Sequence, residues 1–314
     1  MGKIGERWGP KVTYLRDWRK VNEGLVQRGV FYLDFDWIKN WDNELEEMNA
    51  GKVGAPYQFP LSLIRLQAFW AQYYNYRAIE GITRQICAFA QIPDYDDYTT
   101  IWRRVTAFDE PVPKPKGSAI SAATDGSGMK MNMSGEYFEE KYGDGKKKFI
   151  KVTITADPYE KELLKVEVAL EGEGLSEPEI AEKHMQELIN EGYTINDFFM
   201  DGAGDTHDLF DFCDQYTIDP IIKIRKNAAI DPEDGSWLRA KKTKEYFKAG
   251  YKKWAREKHY GRRWTGTEGI FSAVKIIFSE RVRSKKEENM CKEVKRRFWC
   301  YAILKKYSQQ KATI

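Results

Sequence analysis

This chain has two parts that differ in their hydrophobic periodicity. They are separated by three closely spaced prolines: Pro111, Pro113 and Pro115. Proline cannot continue a helix, so the stretch predicts a linker at residues 111–118. Apolar residues recur at helical spacing before it, whereas several segments after it alternate with a period of two. We therefore expect a helical region at residues 1–110 and a second domain, built on a sheet, at residues 119–314.

The first part predicts a series of helices. Leu61 to Tyr76 and Arg77 to Ala90 have helical spacing, and a third helix follows the turn at Pro93, with Thr99 or Thr100 as its cap. On this third helix we expect Ile101, Trp102 and Val105 to face inward. Arg103 and Arg104 are expected to face outward. A helix, a turn and a second helix with exposed arginines resembles a helix-turn-helix DNA reader.

The second part predicts a fixed order of elements. Alternating apolar residues indicate three strands that pair as an antiparallel meander, at Ala123 to Met133, Phe149 to Ala156 and Leu164 to Leu170. A helix, a strand, a helix and a strand are then expected near residues 177–191, 194–200, 206–216 and 221–225. This order is that of an RNase H-like domain, an α/β fold with a mixed sheet of the α+β kind. A basic insertion at about residues 227–263 precedes a long helical tail from Gly266.

Composition indicates a folded protein and excludes several classes. Hydrophobic residues make up 42% of the chain and charged residues 32%, which is unlike a disordered sequence. No run approaches the roughly 18 apolar residues of a membrane span. The four cysteines are scattered without a CxxC motif, so neither a zinc ribbon nor a disulfide framework is expected. A reducing cytoplasm fits best.

Basic residues are concentrated in two segments, although the net charge is only +3. Leu238 to Arg263 holds eleven Lys or Arg against two Glu, and Arg281 to Lys306 holds ten against three. Either segment alone could be a solvated helix face. Together they favour a polyanionic partner such as DNA, because neutralised phosphates dominate nucleic-acid affinity.

Two aspartates hold positions that suit catalysis. Asp125 lies on the first predicted strand, on the same side as methionines expected to be buried, where an unpaired charge is costly unless it binds a metal or a partner. Asp201 ends a strand and is followed by Gly202, Ala203 and Gly204, which leave the strand exit open to a ligand. Its neighbour Asp205 is the weaker candidate and is expected to cap the following helix.

A third acid precedes an amphipathic helix. Helical spacing places Glu268, Ser272, Lys275 and Ser279 on one stripe beside an apolar face. Glu280 is a competing acid, but it lies well away from Glu268 around the helix. Three carboxylates without a histidine or cysteine cluster suit Mg²⁺ or Mn²⁺ better than zinc. A pair of such ions can promote in-line displacement at a phosphodiester, and Lys275 could contact a phosphate.

Asp125, Asp201 and Glu268, followed by Lys275 after six intervening residues, resemble the DDE transposases of prokaryotic insertion sequences that carry a Tyr, Arg, Glu, Lys signature. The resemblance spans Ala119 to about Ile303. It implies that the three acids are metal ligands and that two protomers assemble on paired DNA ends. One departure is that Tyr260 and Arg263 lie one residue too far from Glu268, so Arg262 or Arg263 could take the role of the signature arginine.

Other residues are candidates for DNA contact. Arg225 and Lys226 leave the last predicted strand toward the acids, where they could hold a DNA backbone or simply be solvated. Trp237 and Trp254 lie in the basic insertion, where a tryptophan could stack on a flipped base, although packing is the commoner role. Arg103 and Arg104 are the candidates in the helical part.

The leading hypothesis is a transposase that cleaves double-stranded DNA at the terminal inverted repeats of its element and joins the ends to target DNA. Three alternatives remain. The chain could be an RNase H-like nuclease without strand transfer or a catalytically inactive DNA-binding regulator. It could also be an actin-like sugar kinase that uses Asp125-Gly126-Ser127-Gly128 as a phosphate loop, although no second nucleotide motif is present.

Overall fold

The computed structural model describes residues 17–92, 94–131, 149–229 and 235–309. The chain forms two compact units, and the boundary falls between Pro111 and Val112. One unit contains residues 112–283, which we call the catalytic unit because the three acids predicted to be catalytic lie in it. The other combines the described residues of 17–111 with those of 284–309, and we call it the helical unit. None of the described helices has both the length and the apolarity needed to cross a bilayer.

The helical unit begins with six helices: α1 (Trp18–Phe31), α2 (Asp36–Lys39), α3 (Trp41–Asn49), α4 (Leu61–Trp70), α5 (Tyr76–Ala90) and α6 (Tyr98–Ala107). The predicted helix from Leu61 to Tyr76 is thus too long. It ends at Trp70, and a separate helix follows Asn75, whose side chain caps α5 by accepting a hydrogen bond from the backbone of Ala78. The cap of α6 is Asp97 rather than Thr99 or Thr100, because its carboxylate accepts from both threonine backbones.

Helix α6 presents a different face to the core than its sequence predicts. Ile101 and Val105 are fully buried, as expected, but 45% of the Trp102 side chain is exposed. Ile101 and Val105 are four residues apart and share one stripe, whereas Trp102 is turned about 100° away from Ile101. Arg103 is exposed, while Arg104 is partly buried with its guanidinium over the ring of Tyr57.

The catalytic unit is built on a five-stranded sheet in the order β3-β2-β1-β4-β5. The strands are β1 (Ala119–Lys130), β2 (Phe149–Asp157), β3 (Glu162–Leu170), β4 (Thr194–Met200) and β5 (Asp219–Ile222). The pairs β1–β2 and β2–β3 are antiparallel, whereas β1–β4 and β4–β5 are parallel. This confirms the predicted RNase H-like order and its mixed sheet. Residues 132 and 133, at the end of the first predicted strand, lie outside the described residues.

Helices cover both faces of this sheet: α7 (Glu177–Asn190), α8 (His207–Gln215), α9 (Trp237–Ala249), α10 (Tyr251–Glu257) and α11 (Arg262–Phe278). His184 of α7 contacts Thr155 of β2, which in turn contacts Thr124 of β1, whereas Thr267 of α11 contacts Asp125. Adjacent residues of a strand point to opposite faces, so α7 and α11 lie on opposite sides of the sheet.

Much of the basic insertion is folded into the core. It forms α9 and α10, whose Tyr246 and Trp254 are buried with the sheet residues. Thr206, not Asp205, caps α8. Helix α11 starts at Arg262, four residues before the expected helical tail, and therefore carries Arg263 and Glu268 on one continuous helix.

The last described helix, α12 (Glu287–Tyr307), belongs to the helical unit. Trp299 meets Phe108 edge to face with ring centroids 4.8 Å apart, and Lys295 pairs with Asp109 at 2.6 Å. The sequence predicts that residues 284–314 belong to the catalytic domain. The structure differs because the apolar face of α12 packs against the preceding helices rather than against the sheet.

Candidate active site

Three acids from distant parts of the chain line one cleft in the catalytic unit. The last parallel pairings of β1 with β4 are Ala122 with Phe198 and Ala123 with Phe199. Extending this register by two residues places Asp125 beside Asp201, on the same face. Glu268 of α11 lines the same cleft, whose volume is about 560 Å³. The structure thus brings the predicted trio together.

Asp125 is held by two side chains of α11. One of its oxygens, Oδ2, lies 3.1 Å from Nη1 of Arg263 and accepts a hydrogen bond of 3.1 Å from Oγ1 of Thr267. Burial raises the pKa of the Asp125 carboxyl above its ordinary value. Arg263 and Thr267 oppose this increase, whereas the charge of Asp201 adds to it. The two aspartates are therefore close enough to repel each other when both are ionised.

Asp201 and Glu268 differ in whether their carboxylates already have hydrogen-bond partners. Oδ1 of Asp201 accepts from the backbone of Ala203 at 2.8 Å and so caps the short 3₁₀ helix Gly202–Gly204. Arg225 braces this turn by donating to the carbonyls of Gly202 and Ala203. Glu268 is exposed, and its carboxylate has no hydrogen-bond or ion-pair partner within the described part of the chain.

The competing acids have other partners. Asp205 is buried, and its Oδ1 lies 2.7 Å from Nε of Arg239 while Oδ2 accepts from the backbone of Arg225. Glu280 pairs with Lys130 at 2.7 Å and with Lys275 at 3.4 Å. Both carboxylates are thus neutralised by neighbouring cations and do not line the cleft.

Lys275 lines the same cleft as the three acids. Its Nζ donates to Oγ of Ser127 on β1 at 3.2 Å. Glu268, Ser272 and Lys275 all line the cleft, as the helical stripe predicts. A partly exposed ammonium beside an acidic cleft can contact the phosphate of a bound polyanion.

The other residues of the catalytic unit that are predicted to contact DNA differ in their exposure and in their contacts. Only 2% of Tyr260 is exposed, and its hydroxyl donates to the carbonyl of Met200, so here it is a packing residue. Arg262 lies over the ring of Tyr159 with its guanidinium carbon 4.7 Å from the ring centroid. By contrast, 62% of Trp237 is exposed, and Lys226 is exposed as well.

A considerable part of the basic sequence forms internal ion pairs. Lys242 and Lys258 both contact Asp219, while Arg239 pairs with Asp205 and Arg263 with Asp125. These four cations pair with three carboxylates of the same unit. The count of basic residues in the sequence therefore overstates the positive surface that is available to DNA.

The donors in the cleft fit hard divalent cations, since all three side chains offer carboxylate oxygens. Within the described ranges, no three Asp, Glu, His or Cys side chains come close enough to form a preformed metal cluster. Nη1 of Arg263 lies 3.1 Å from one oxygen of Asp125 that a cation would need. The acids fit Mg²⁺ or Mn²⁺ if Arg263 yields that oxygen.

Sequence reasoning missed Thr267 and the pairing of Arg263 with Asp125. Arg263 and Thr267 are four residues apart, so helical geometry places them on one face, and Thr267 directly precedes Glu268. That spacing was a usable signal.

The sheet order and the acid-lined cleft define an RNase H-like domain. Residues 119–303, more than half of the chain, match a family profile described as "Transposase DDE domain", and a second profile of the same description matches residues 26–134. The chain belongs to the DDE transposase family. No curated protein matches it.

Two solved structures were also found, the "Mos1 Strand Transfer Complex" and "a pre-cleavage Mos1 transpososome". The first is 10% identical, covers 74% of this chain and 82% of its own, and has a TM-score of 0.24. The second is 10% identical, covers 83% and 99%, and has a TM-score of 0.23. Similarity at this level carries no argument about function.

Proposed function

We propose that the chain catalyses metal-dependent cleavage of DNA at the ends of its element and transfer of the cleaved strands into target DNA. The observation that carries the proposal is the shared cleft of Asp125, Asp201 and Glu268. The three acids come from a strand, a strand end and a helix that are far apart in sequence. Family membership supplies the reaction class.

In this proposal Asp125, Asp201 and Glu268 hold two Mg²⁺ or Mn²⁺ ions. When bound, such ions activate the attacking oxygen and stabilise the leaving oxygen of a phosphodiester displacement. Thr267 keeps the carboxylate of Asp125 oriented through its hydrogen bond. Lys275 contacts a phosphate beside the acids, while Arg225, Lys226 and Arg262 follow the DNA backbone and Trp237 offers an exposed ring.

The proposed partners are double-stranded DNA of the terminal inverted repeats, target DNA and a second copy of the chain on the paired ends. Arg103 and Arg104 of the helical unit are proposed DNA contacts in a helix-turn-helix-like arrangement. We place the protein in a prokaryotic cytoplasm, at the nucleoid, as the product of an insertion sequence.

The test uses labelled DNA that flanks the coding region on both sides, incubated with the purified full chain and Mn²⁺. Asp125→Asn, Asp201→Asn and Glu268→Gln are expected to abolish cutting. Asp208→Asn, an exposed acid of the same unit that does not line the cleft, is the matched control and should cut normally. Manganese binding, followed by the paramagnetic resonance of free Mn²⁺, should weaken in the three cleft variants alone.

The products separate the remaining alternatives. Joined strands support the transposase, whereas hydrolysed ends without joining support a nuclease. If EDTA changes neither the DNA products nor the binding, the chain is an inactive DNA-binding protein. The sugar-kinase alternative is not supported, because Asp125 to Gly128 lie within strand β1 and form no phosphate loop.

A further inference from the structure

The helical unit has a pocket of about 410 Å³ where the first turns of α5 and α6 meet. Its walls include three aromatic side chains, Tyr76, Tyr98 and Trp102. Tyr98 and Trp102 are both substantially exposed. Neighbouring exposed aromatic rings offer a flat apolar surface on which a planar ligand can pack.

Trp102 is the best-placed stacking surface in the pocket. Within the described part of the chain its ring contacts no other aromatic ring and no cation. The ring of Tyr98, in contrast, is already covered by Arg77, whose guanidinium carbon lies 4.7 Å from the ring centroid. A flat apolar ligand can therefore stack on Trp102 without displacing a protein side chain.

The positive charge of the pocket favours an anionic ligand. Arg77 and Arg103 line it, and no carboxylate does. The nearest acids serve other roles, since Asp97 caps α6 and Glu80 pairs with Arg84 at 2.6 Å. Arg103 uses Nε for a hydrogen bond to the carbonyl of Thr99, so its terminal nitrogens remain available.

A buried arginine adds to this positive field. Arg296 of α12 is almost fully buried, its Nε and Nη1 have no hydrogen-bond partner among the described residues, and its charge acts on Tyr76, which lines the pocket. Glu293, the acid nearest to it in sequence, pairs with Arg297 at 2.6 Å. The charge of Glu293 also acts on both Arg296 and Tyr76, so it offsets part of the positive charge of Arg296 near the pocket.

We propose that this pocket binds one unpaired nucleotide of DNA, with its base against Trp102 and its phosphate between Arg77 and Arg103. The inference rests on the proposed DNA-handling function and adds a site that reads unpaired DNA. A paired base is excluded, because both of its faces are covered by its neighbours in the duplex. A backbone phosphate alone would use the arginines but leave Trp102 without a role.

The experiment measures binding in EDTA, so that cleavage does not enter. The probe is a duplex with one unpaired 2-aminopurine, compared with the fully paired duplex of the same sequence. Binding of the wild-type chain should quench the unpaired base, and affinity for this probe should exceed that for the paired duplex. Trp102→Ala should lose roughly tenfold in affinity for the unpaired probe alone, since one stacked base contributes roughly tenfold to a hundredfold. Trp102→Phe should retain most of it.

Phe89→Ala is the matched control, because Phe89 is 89% exposed on α5 of the same unit and does not line the pocket. It should bind both probes normally. Arg103→Gln should reduce the salt dependence of binding by about one counterion. Equal loss on paired and unpaired probes in Trp102→Ala, or no loss, would overturn the inference, as would loss of quenching in Trp237→Ala alone.

These outcomes are independent of catalysis. If the chain cuts DNA but Trp102→Ala binds the unpaired probe normally, only the pocket is rejected. If the chain does not cut but the unpaired probe depends on Trp102, the pocket stands and the proposed reaction fails.

Discussion

The hydroxyl of Thr267 fixes one oxygen of Asp125, and its removal gives a test of that contact. Thr267→Val keeps the shape of the side chain but removes the donor. We expect cleavage at limiting Mn²⁺ to slow about 10-fold to 100-fold, as is usual when a partner of a metal ligand is lost. The measurement is the cleavage rate as a function of Mn²⁺ concentration.

Thr267→Ser retains the hydroxyl and should restore the wild-type dependence on Mn²⁺. A purely structural role for Thr267 predicts instead that valine lowers the rate equally at all Mn²⁺ concentrations. That result would contradict the assigned contact.

His184 makes the catalytic unit sensitive to acid. Its side chain is buried on α7 and its Nδ1 is 2.9 Å from Oγ1 of Thr155. Burial, together with the charges of Lys183 and Lys165, lowers the pKa of His184 to about 3. In the unfolded chain its pKa is near 6.5, so between these values only the unfolded state binds the proton. Stability is therefore retained above pH 6.5 and lost as the pH falls.

We expect His184→Gln, which cannot titrate, to flatten the dependence of the free energy of unfolding on pH between about 6.5 and 4. The measurement is urea unfolding at several pH values, and the slope is compared rather than the absolute stability. Parallel pH profiles for the variant and the parent would show that His184 is not the source of the sensitivity.

The candidate acids could be found from sequence because each has a distinctive position along its element. Asp125 is an acid on a buried strand, Asp201 ends a strand before glycines, and Glu268 shares a helical stripe with Lys275. The contact of Arg263 with Asp125 could not be found in this way. It depends on the rotation of α11 against β1, which is set by packing rather than by local sequence.

Helix α11 approaches the turn between β2 and β3 through a glycine. A Cβ at Gly266 would lie 2.8 Å from the backbone Cα of Pro158, which cannot move aside as a side chain could. Gly266→Ala should therefore push α11 away and destabilise the catalytic unit by about 1–3 kcal/mol. Thermal unfolding measures the stability, and cleavage activity should fall as well because Glu268 lies on this helix.

Gly269 of the same helix is the control. Nothing lies within 4 Å of a Cβ added there, so Gly269→Ala should stabilise the helix by about 0.5–1 kcal/mol through its higher helix propensity. If both substitutions change stability in the same direction, the close approach at Gly266 is not the cause.

The elements with strict periodicity were predicted well, and those set by caps or tertiary contacts were not. Alternation located β1, β2 and β3. The end of α4 was missed because Asn75 starts a new helix, and the exposed face of α6 was missed because an apolar Trp102 resembles a core residue. Burial of a large apolar side chain is a preference that a binding surface can override.

At the scale of the whole molecule, the helical unit is discontinuous in sequence. It requires α12, whose buried face includes Phe298 and Trp299, although the catalytic unit lies between α12 and the other helices in sequence. Sequence could not reveal this, since an amphipathic helix does not specify which apolar surface covers it.

A chain that ends at Arg283 should therefore lose the helical unit but keep the catalytic unit folded. Limited proteolysis is the measurement: residues 17–111 should be digested rapidly, while 112–283 should persist. A chain that ends at Gln309, which retains α12, is the control and should resist cleavage throughout both units. Equal protection of residues 17–111 in both chains would show that α12 is dispensable.

The return of α12 to the first helices also fixes the order in which a newly made molecule matures on the ribosome. Translation supplies every strand of the sheet well before it supplies the segment that closes the helical unit. A nascent polypeptide thus completes the sheet and the acid-lined cleft before the helical unit. A message truncated between these two points yields a product with an intact acidic cleft and an unfinished helical partner.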